Sequence, residues 1–278
     1  MLDLLVITNC LSLAQRCDVL PGMRLFVDLE RNGKAERQKG HDTFITTHHS
    51  EDVGLVKAVL KQSRLMVRVN PYQTSDPSAS KSEVDAVLAQ GADIIMLPMF
   101  TTALELQAFA NIVAGRAPIV PLLETAGALQ SLDDWIDTPG IQEVFVGLND
   151  LHLSLGCRFM FEPLLMGHVD RVAIVAKARG LRFGFGGIAR MDEGALPGRA
   201  VLAEHLRLGS SAVILSRTFN RAGSHATDES LEQAVAQLRL AEQELAQRSI
   251  ESIEAGRLRT AALIGNLATL AGAAKAPA

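Results

Sequence analysis

Strand-like and helix-like runs alternate eight times along this chain, and that rhythm limits its fold more than any single residue does. The candidate strands are Leu4–Thr8, Arg24–Glu30, Leu65–Asn70, Asp93–Met99, Ile119–Glu124, Glu143–Leu148, Arg182–Gly186 and Ala212–Ser216. They are short and rich in Val, Ile, Leu and Phe, the composition of strands covered on both faces. Between them, amphipathic segments such as Ser82–Gln90, Ala103–Val113 and Val169–Arg179 predict helices, with Gly91, Gly115 and Gly180 placed to end them. Short connections and eight repeats predict a closed parallel (β/α)8 TIM barrel, with an open doubly wound sheet as the alternative. The 278 residues suit a barrel of about 250 residues with an extension.

That extension begins after Arg221. Ala, Leu, Glu and Gln dominate from Ser230 to Ala274, and Leu231, Val235, Leu238 and Leu245 mark one helical face. Two helices fit there, with Gly256 as the expected break and Gly272 to Ala278 as a frayed tail. The division that follows is a barrel domain over 1–225 and C-terminal helices over 226–278. More apolar helix is present than one barrel needs, which predicts a homo-oligomer built partly through this tail.

Composition narrows the partners. A net charge of −4 with mixed signs offers no basic surface for nucleic acid or an anionic membrane. Three cysteines without a CxxC pair argue against a disulfide framework or a zinc knuckle, and for a reducing, cytoplasmic setting. No run approaches the roughly 18 apolar residues of a membrane span, and no leader-like amino terminus is evident. A Ser/His/Asp arrangement, a P-loop and a dinucleotide fingerprint are all missing from the sequence.

Acids occur where these strands end. Pro-Leu-Leu-Glu-Thr-Ala (Pro121 to Ala126) carries Glu124, and Val-Gly-Leu-Asn-Asp-Leu (Val146 to Leu151) carries Asp150, with Asn149 beside it as a candidate substrate contact. An unpaired carboxylate in an apolar strand is costly, but at the carboxyl end of a barrel strand it reaches the rim where active sites form. Two such acids can hold one hard cation, with water and substrate oxygens completing the shell. The alternative is that Asp150 caps the next helix and Glu124 pairs with an arginine.

Arg68 closes the third strand in Val-Arg-Val-Asn-Pro. A guanidinium there clamps a carboxylate or phosphate, or neutralises Glu124 or Asp28, and the two roles can coexist. Asp28 and Glu30, in Phe-Val-Asp-Leu-Glu, share a face by alternation; they hold metal-bound waters or pair with Arg31, Lys34 or Arg37. In Phe-Gly-Phe-Gly-Gly, Gly186 and Gly187 let a substrate approach the backbone, or they relieve crowding. His48 and His49 are adjacent and must face opposite ways; one serves as a base, or the pair is solvated loop. His205 lies in a helix-like run as a packing or capping residue.

Together these motifs resemble the HpcH/HpaI aldolase and citrate lyase β-subunit family, from about Leu4 to Arg217. The likeness rests on Val-Asp-Leu-Glu at Asp28, Val-Arg-Val-Asn at Arg68, Gly-Ala-Asp-Ile-Ile-Met-Leu-Pro-Met over Gly91–Met99, Leu-Glu-Thr-Ala at Glu124 and Val-Gly-Leu-Asn-Asp-Leu at Asp150. It implies a barrel that binds pyruvate-like or oxaloacetate-like carboxylates on Mg²⁺ or Mn²⁺, with Glu124 and Asp150 as metal ligands and Arg68 on the substrate. It also implies exchange of the last helix between subunits.

One position departs from that pattern. Class II aldolases of the family carry a catalytic His directly after the acid that ends the second strand, citrate-lyase-like members carry an Asp, and this chain has Arg31. The change removes a general base and supplies a candidate anion clamp, leaving a metal-bound water, His48 or His49 as base. The expectation is a metal-dependent carbon–carbon lyase or aldolase acting through a pyruvate-type enolate. The alternatives are an isomerase, hydratase or ligase using the same enolate, or a ligand-binding barrel without catalysis.

Overall fold

The computed structural model describes residues 1–33, 47–220 and 230–274. Eight parallel strands close into a barrel: β1 (Asp3–Ile7), β2 (Met23–Asp28), β3 (Arg64–Arg68), β4 (Ile94–Leu97), β5 (Ile119–Leu123), β6 (Glu143–Val146), β7 (Arg182–Ile188) and β8 (Ala212–Leu215). Each pairs with the next, and β8 returns to β1 through Leu4↔Val213. The helices are α1 (Leu11–Asp18), α2 (Ser50–Val59), α3 (Pro77–Ala89), α4 (Ala103–Val113), α5 (Ala126–Gln130), α6 (Leu132–Trp135), α7 (Leu148–Ser154), α8 (Glu162–Leu165), α9 (His168–Ala178), α10 (Gly198–Leu208), α11 (Leu231–Ala246) and α12 (Ile250–Ala274). This is the (β/α)8 barrel that the alternation predicts, with two helices added; the closed ring excludes the open doubly wound sheet.

Alternation along each strand divides the apolar side chains into two cores. Leu5, Phe26, Met66, Met96, Val120, Leu122 and Phe145 fill the barrel interior. Leu4, Val6, Leu25, Val27, Leu65, Val67, Ile95 and Val144 point outward into the layer beneath the helices. Both faces are dry, which is why the strands read as unbroken apolar runs. Room for the Phe145 ring depends on Gly184: a Cβ there would lie 2.8 Å from that ring and 2.7 Å from the Ala212 carbonyl oxygen.

An ionic floor seals the amino end of the barrel. Arg24 of β2 reaches across to Glu143 of β6 (Nη1 to Oε1, 2.8 Å; Nη2 to Oε2, 2.9 Å) and also donates to Asp3 of β1 at 2.6 Å. Arg182 of β7 completes the group, donating to Glu143 at 3.0 Å and Asp3 at 2.6 Å. Arg24 and Glu143 are buried and belong to strands that are not neighbours, so their bridge spans the ring.

Several boundaries differ from expectation for local reasons. Helix α3 starts at Pro77 rather than Ser82, because Asp76 accepts the Ala79 amide at 3.2 Å and proline suits the first helical position. Strand β6 stops at Val146: the Gly147 amide bonds the Leu123 carbonyl and α7 begins at Leu148. Strand β7 continues to Ile188 across a register shift between Gly184 and Gly187. In the extension the helix break lies between Ala246 and Ile250, where Ser249 Oγ accepts the Ser252 amide at 3.2 Å, whereas Gly256 sits inside α12. Gly272 and Ala273 continue that helix rather than fraying. Leu231, Val235 and Leu238 are buried as one face of α11, with Leu245 partly buried beside them. The expected domain boundary at 225/226 falls outside the described residues. His205 is a packing residue on α10: its ring stacks on Phe185 of β7 at 3.8 Å between centroids, and burial lowers its pKa to about 3. Among the described residues no helix is long and apolar enough to cross a membrane.

Removing Glu143 takes from buried Arg24 its bidentate partner and leaves it Asp3 alone. Glu143→Ala is therefore expected to cost about 3–5 kcal/mol of stability, read from urea unfolding. A loss below about 1 kcal/mol, the scale of exposed pairs, would mean that the floor does not brace the ring.

Candidate active site

At the carboxyl ends of the strands the interior core stops at Phe26, Met96, Leu122 and Phe145, and a cavity of about 590 Å³ opens above them. Asp28, His48, Arg68, Glu124, Asn149 and Asp150 line one side of it, and Thr8, Asn9, Ser216 and Arg217 contribute polar groups from the ends of β1 and β8. Gly186 and Gly187, the two residues before the last of β7, form part of the wall.

Arg68 is the last residue of β3, paired in register with Asp28, the last residue of β2. That pairing aims both side chains into the mouth. Nε and Nη2 donate to the two Asp28 oxygens at 2.8 Å each, a bidentate contact, and Glu30 Oε2 lies 3.3 Å from Nη1. The guanidinium also stands over the Phe26 ring at 5.8 Å. Burial works against this charge, but Asp28, then Glu30 and Glu124, more than offset it and hold Arg68 above its ordinary pKa. Asp28 and Glu30 share a face as alternation predicts, and both turn toward Arg68.

Glu124 follows the last residue of β5 and is buried. Its Oε1 accepts the Met99 amide at 3.1 Å, and Met99 adopts φ 58°, a left-handed conformation uncommon for a side chain of this size. On the other side, a Cβ on Gly147 would sit 2.7 Å from Glu124 Oε2, so only glycine leaves this carboxylate its place. Burial, then the charges of Glu30 and Asp150, push the Glu124 carboxyl well above the usual carboxylate range against the opposing pull of Arg68 and the Met99 amide. Asp150 is not on a strand end. It occupies the first turn of α7, whose N-cap is Gly147, and faces the same cavity from there. The short strand β6 hands over to that helix sooner than the apolar run suggests.

The two histidines part as expected: His48 is buried against the cavity and His49 is exposed. The Asp28 amide donates to His48 Nδ1 at 3.0 Å. Arg31 does not belong to the cavity wall; its Nη2 donates to the His48 carbonyl at 2.6 Å and lies 3.2 Å from His49 Nδ1. Glu30 likewise stands behind Arg68 rather than in the wall. Asn70, unremarked in the sequence, organises this turn: its Oδ1 accepts the Arg31 and Asn32 amides at 2.9 and 3.1 Å, while Glu83 accepts its side-chain amide at 2.8 Å. Lys34 and Arg37, the other expected partners of Asp28 and Glu30, lie outside the described residues.

Oxygen donors that are crowded by like charge fit a hard cation, which relieves the repulsion that otherwise favours a proton. Glu124 meets that description, with Asp150 as one of the like charges beside it. Among the described residues no group of three or more His, Cys, Asp or Glu is placed to hold a metal, so a cation here needs oxygens from water or a ligand as well.

A family model described as HpcH/HpaI aldolase/citrate lyase matches residues 24–184, more than half of the chain and the span that carries Asp28, Arg68, Glu124 and Asp150. The chain belongs to the HpcH/HpaI aldolase/citrate lyase family. Its matched span is shorter than the Leu4 to Arg217 stretch over which the motifs run. Solved structures of similar fold include an HpcH/HpaI aldolase/citrate lyase family protein from Burkholderia cenocepacia J2315, with 17% identity, 87% of this chain and 93% of that one covered, and a TM-score of 0.59. An HpcH/HpaI aldolase from Desulfitobacterium hafniense DCB-2 shares 15% identity over 77% of this chain and 85% of its own, with a TM-score of 0.55. RipC from Yersinia pestis shares 16% identity over 91% and 98%, with a TM-score of 0.54. These likenesses concern the fold. A search of curated protein sequences gave no match. For this HpcH/HpaI-family barrel, aldolase/citrate lyase membership indicates a lyase.

Gly147→Ala drives a methyl group against Glu124 and is expected to destabilise the protein by about 1–3 kcal/mol. Urea unfolding measures this, and an unchanged midpoint would show that the β5 and β6 ends yield without cost.

Proposed function

We propose that this chain is a divalent-metal-dependent carbon–carbon lyase acting on a 2-oxo acid, running in the cleavage or the aldol direction. The observation that carries this reading is the convergence of Arg68, Glu124 and Asp150 on one cavity with an apolar floor. Family members are generally dependent on a divalent metal. Glu124 and Asp150 would hold Mg²⁺ or Mn²⁺, which when bound supplies Lewis acidity toward the carboxylate and keto oxygens of the substrate.

The chain's own residues supply the rest. Asp28 occupies the Nε/Nη2 edge of Arg68 and Glu30 lies at Nη1, so the guanidinium is held in one orientation, and the Nη protons that these two acids leave over are the donors for a substrate carboxylate. That fixed positive charge stabilises the negative charge that develops on the substrate as the carbon–carbon bond breaks, without reorganising during the step. Phe26, Met96, Leu122 and Phe145 keep the inner end of the cavity dry, which strengthens these contacts.

Titration with Mn²⁺ followed by its electron paramagnetic resonance, together with oxaloacetate decarboxylation and pyruvate proton exchange, tests the reading. Glu124→Gln should weaken Mn²⁺ binding by at least about tenfold, the scale of one lost charged contact, while the fold persists. Arg68→Lys keeps the charge but loses the planar fork and should weaken 2-oxo acid binding by about 1.5–3 kcal/mol. Unchanged Mn²⁺ binding in Glu124→Gln removes the metal assignment. Binding without turnover favours a ligand-binding barrel.

The same reading includes self-association. Helix α12 leaves Ile250, Leu258 and Leu270 exposed at 82%, 56% and 67%, a surface that a second copy of the chain would cover. Light scattering should give a mass above one chain that falls when Leu258 and Leu270 are changed to Glu; a monomeric wild type discards the idea.

A further inference from the structure

The cavity at the mouth is larger than its charged side requires. A three-carbon 2-oxo acid takes the room of three or four waters, about 100 Å³ at roughly 30 Å³ per water. The cavity holds about 590 Å³. The surplus has a direction. Phe26, Met96, Leu122 and Phe145 belong to the barrel interior and form the floor. Val6, Leu13, Leu215, Phe219 and Leu231 belong to the apolar layer outside the strands, yet they line the same cavity. A space confined to the barrel mouth would meet only the first set. This one continues past the ends of β1 and β8 toward α1, the 3-10 turn Arg217–Asn220 and the first residue of α11.

The side chamber stands across the mouth from the charges. Strands β1 and β8 close the ring, and their pairing runs to Leu5↔Ile214, so the next step sets Val6 beside Leu215. In a ring of eight, β8 is four strands from β4, while Arg68 ends β3 and Glu124 follows β5, the two neighbours of β4. The polar residues on the chamber side, Thr8, Asn9, Ser216 and Arg217, all come after the last residues of β1 and β8, and Arg217 is exposed. The five apolar residues are between 2% and 7% exposed. A wall of this kind favours an apolar group and penalises a charge.

We propose that the substrate is a 4-hydroxy-2-oxo acid whose C4 bears an extended apolar group, seated among Val6, Leu13, Leu215, Phe219 and Leu231 while the carboxylate end lies at Arg68. These five residues then set the specificity for the departing aldehyde. The proposal rests on the functional reading above for the 2-oxo acid end. In the cleavage direction the C4 hydroxyl loses its proton to solvent and its oxygen becomes the aldehyde carbonyl. The C3–C4 electron pair passes to C3, which takes a proton back from solvent. The products are pyruvate and an apolar aldehyde, with no change in total atoms or charge.

Calorimetry in the presence of Mg²⁺, with unbranched 2-oxo acids from pyruvate to 2-oxooctanoate, reads the chamber in the wild-type protein. Affinity should rise about fourfold per added methylene until the chamber is full, and by at least about thirtyfold over the series. 2-Oxoadipate, as long as 2-oxohexanoate but ending in a second carboxylate, should bind at least about tenfold more weakly than 2-oxohexanoate. Leu13→Phe and Leu231→Phe each narrow the chamber and should lower the preference for 2-oxooctanoate over pyruvate by at least about fivefold. A flat series, or 2-oxoadipate bound as well as 2-oxohexanoate, overturns the apolar specificity, while pyruvate binding still supports the functional reading. A chain-length effect that both variants leave intact overturns the assignment to these five residues. Failure of every acid in the series to bind overturns the functional reading and the specificity with it.

Discussion

Arg68 is the charge around which the mouth of this barrel is arranged. Three buried carboxylates, Asp28, Glu30 and Glu124, act on it directly, and a fourth, Asp150, acts on Glu124. Without the guanidinium the acids of β2 and β5 would repel one another in a medium that screens poorly. With it, Asp28 and Glu30 become supports that hold Arg68 at a fixed angle, and the remaining negative charge is displaced toward Glu124 and Asp150. One ion-pair geometry therefore separates a side of the mouth suited to anions from a side suited to a cation.

The barrel was legible because its cause is local and repeated. Strands dry on both faces must be apolar throughout, and the turns between them must stop helices, so Gly91, Gly115 and Gly180 mark helix ends at φ 95°, 71° and 67°. The misplaced boundaries are those decided by one side chain against the wider pattern. Asp76 starts α3 early, and Ser249 restarts the helix of the extension although the sequence pattern points to Gly256 as the break. A glycine inside a long helix costs only about 1 kcal/mol, and neighbouring turns of α12 absorb it.

Much of the candidate site was legible for the same reason. Asp28, Arg68 and Glu124 stand at or just beyond strand ends, and a strand end faces the mouth whatever surrounds it. Asp150 also lines the cavity, but from a helix that the apolar run concealed. What the sequence could not announce were the contacts between distant segments: Met99 lending its amide to Glu124, Gly147 clearing space for it, and Asn70 fixing the turn at Arg31. His48 was recognisable as an inward-facing imidazole beside an outward-facing His49. The amide that bonds its Nδ1 lies 20 residues away and becomes visible only once β2 and the start of α2 meet.

The ionic floor of Arg24, Asp3, Glu143 and Arg182 has a consequence for how such a protein diverges. Those charges close the ring at the end opposite the cavity and share no side-chain hydrogen bond with the acids of the mouth. The interior layer of Phe26, Met66, Val120 and Phe145 lies between the two ends as an apolar insulator. Residues at the mouth can then be exchanged over evolutionary time without reopening the question of ring closure. Arg31 is a residue of that kind: its bonds run to His48 and Asn70 at the mouth, and exchanging it leaves the ion pairs that close the other end in place.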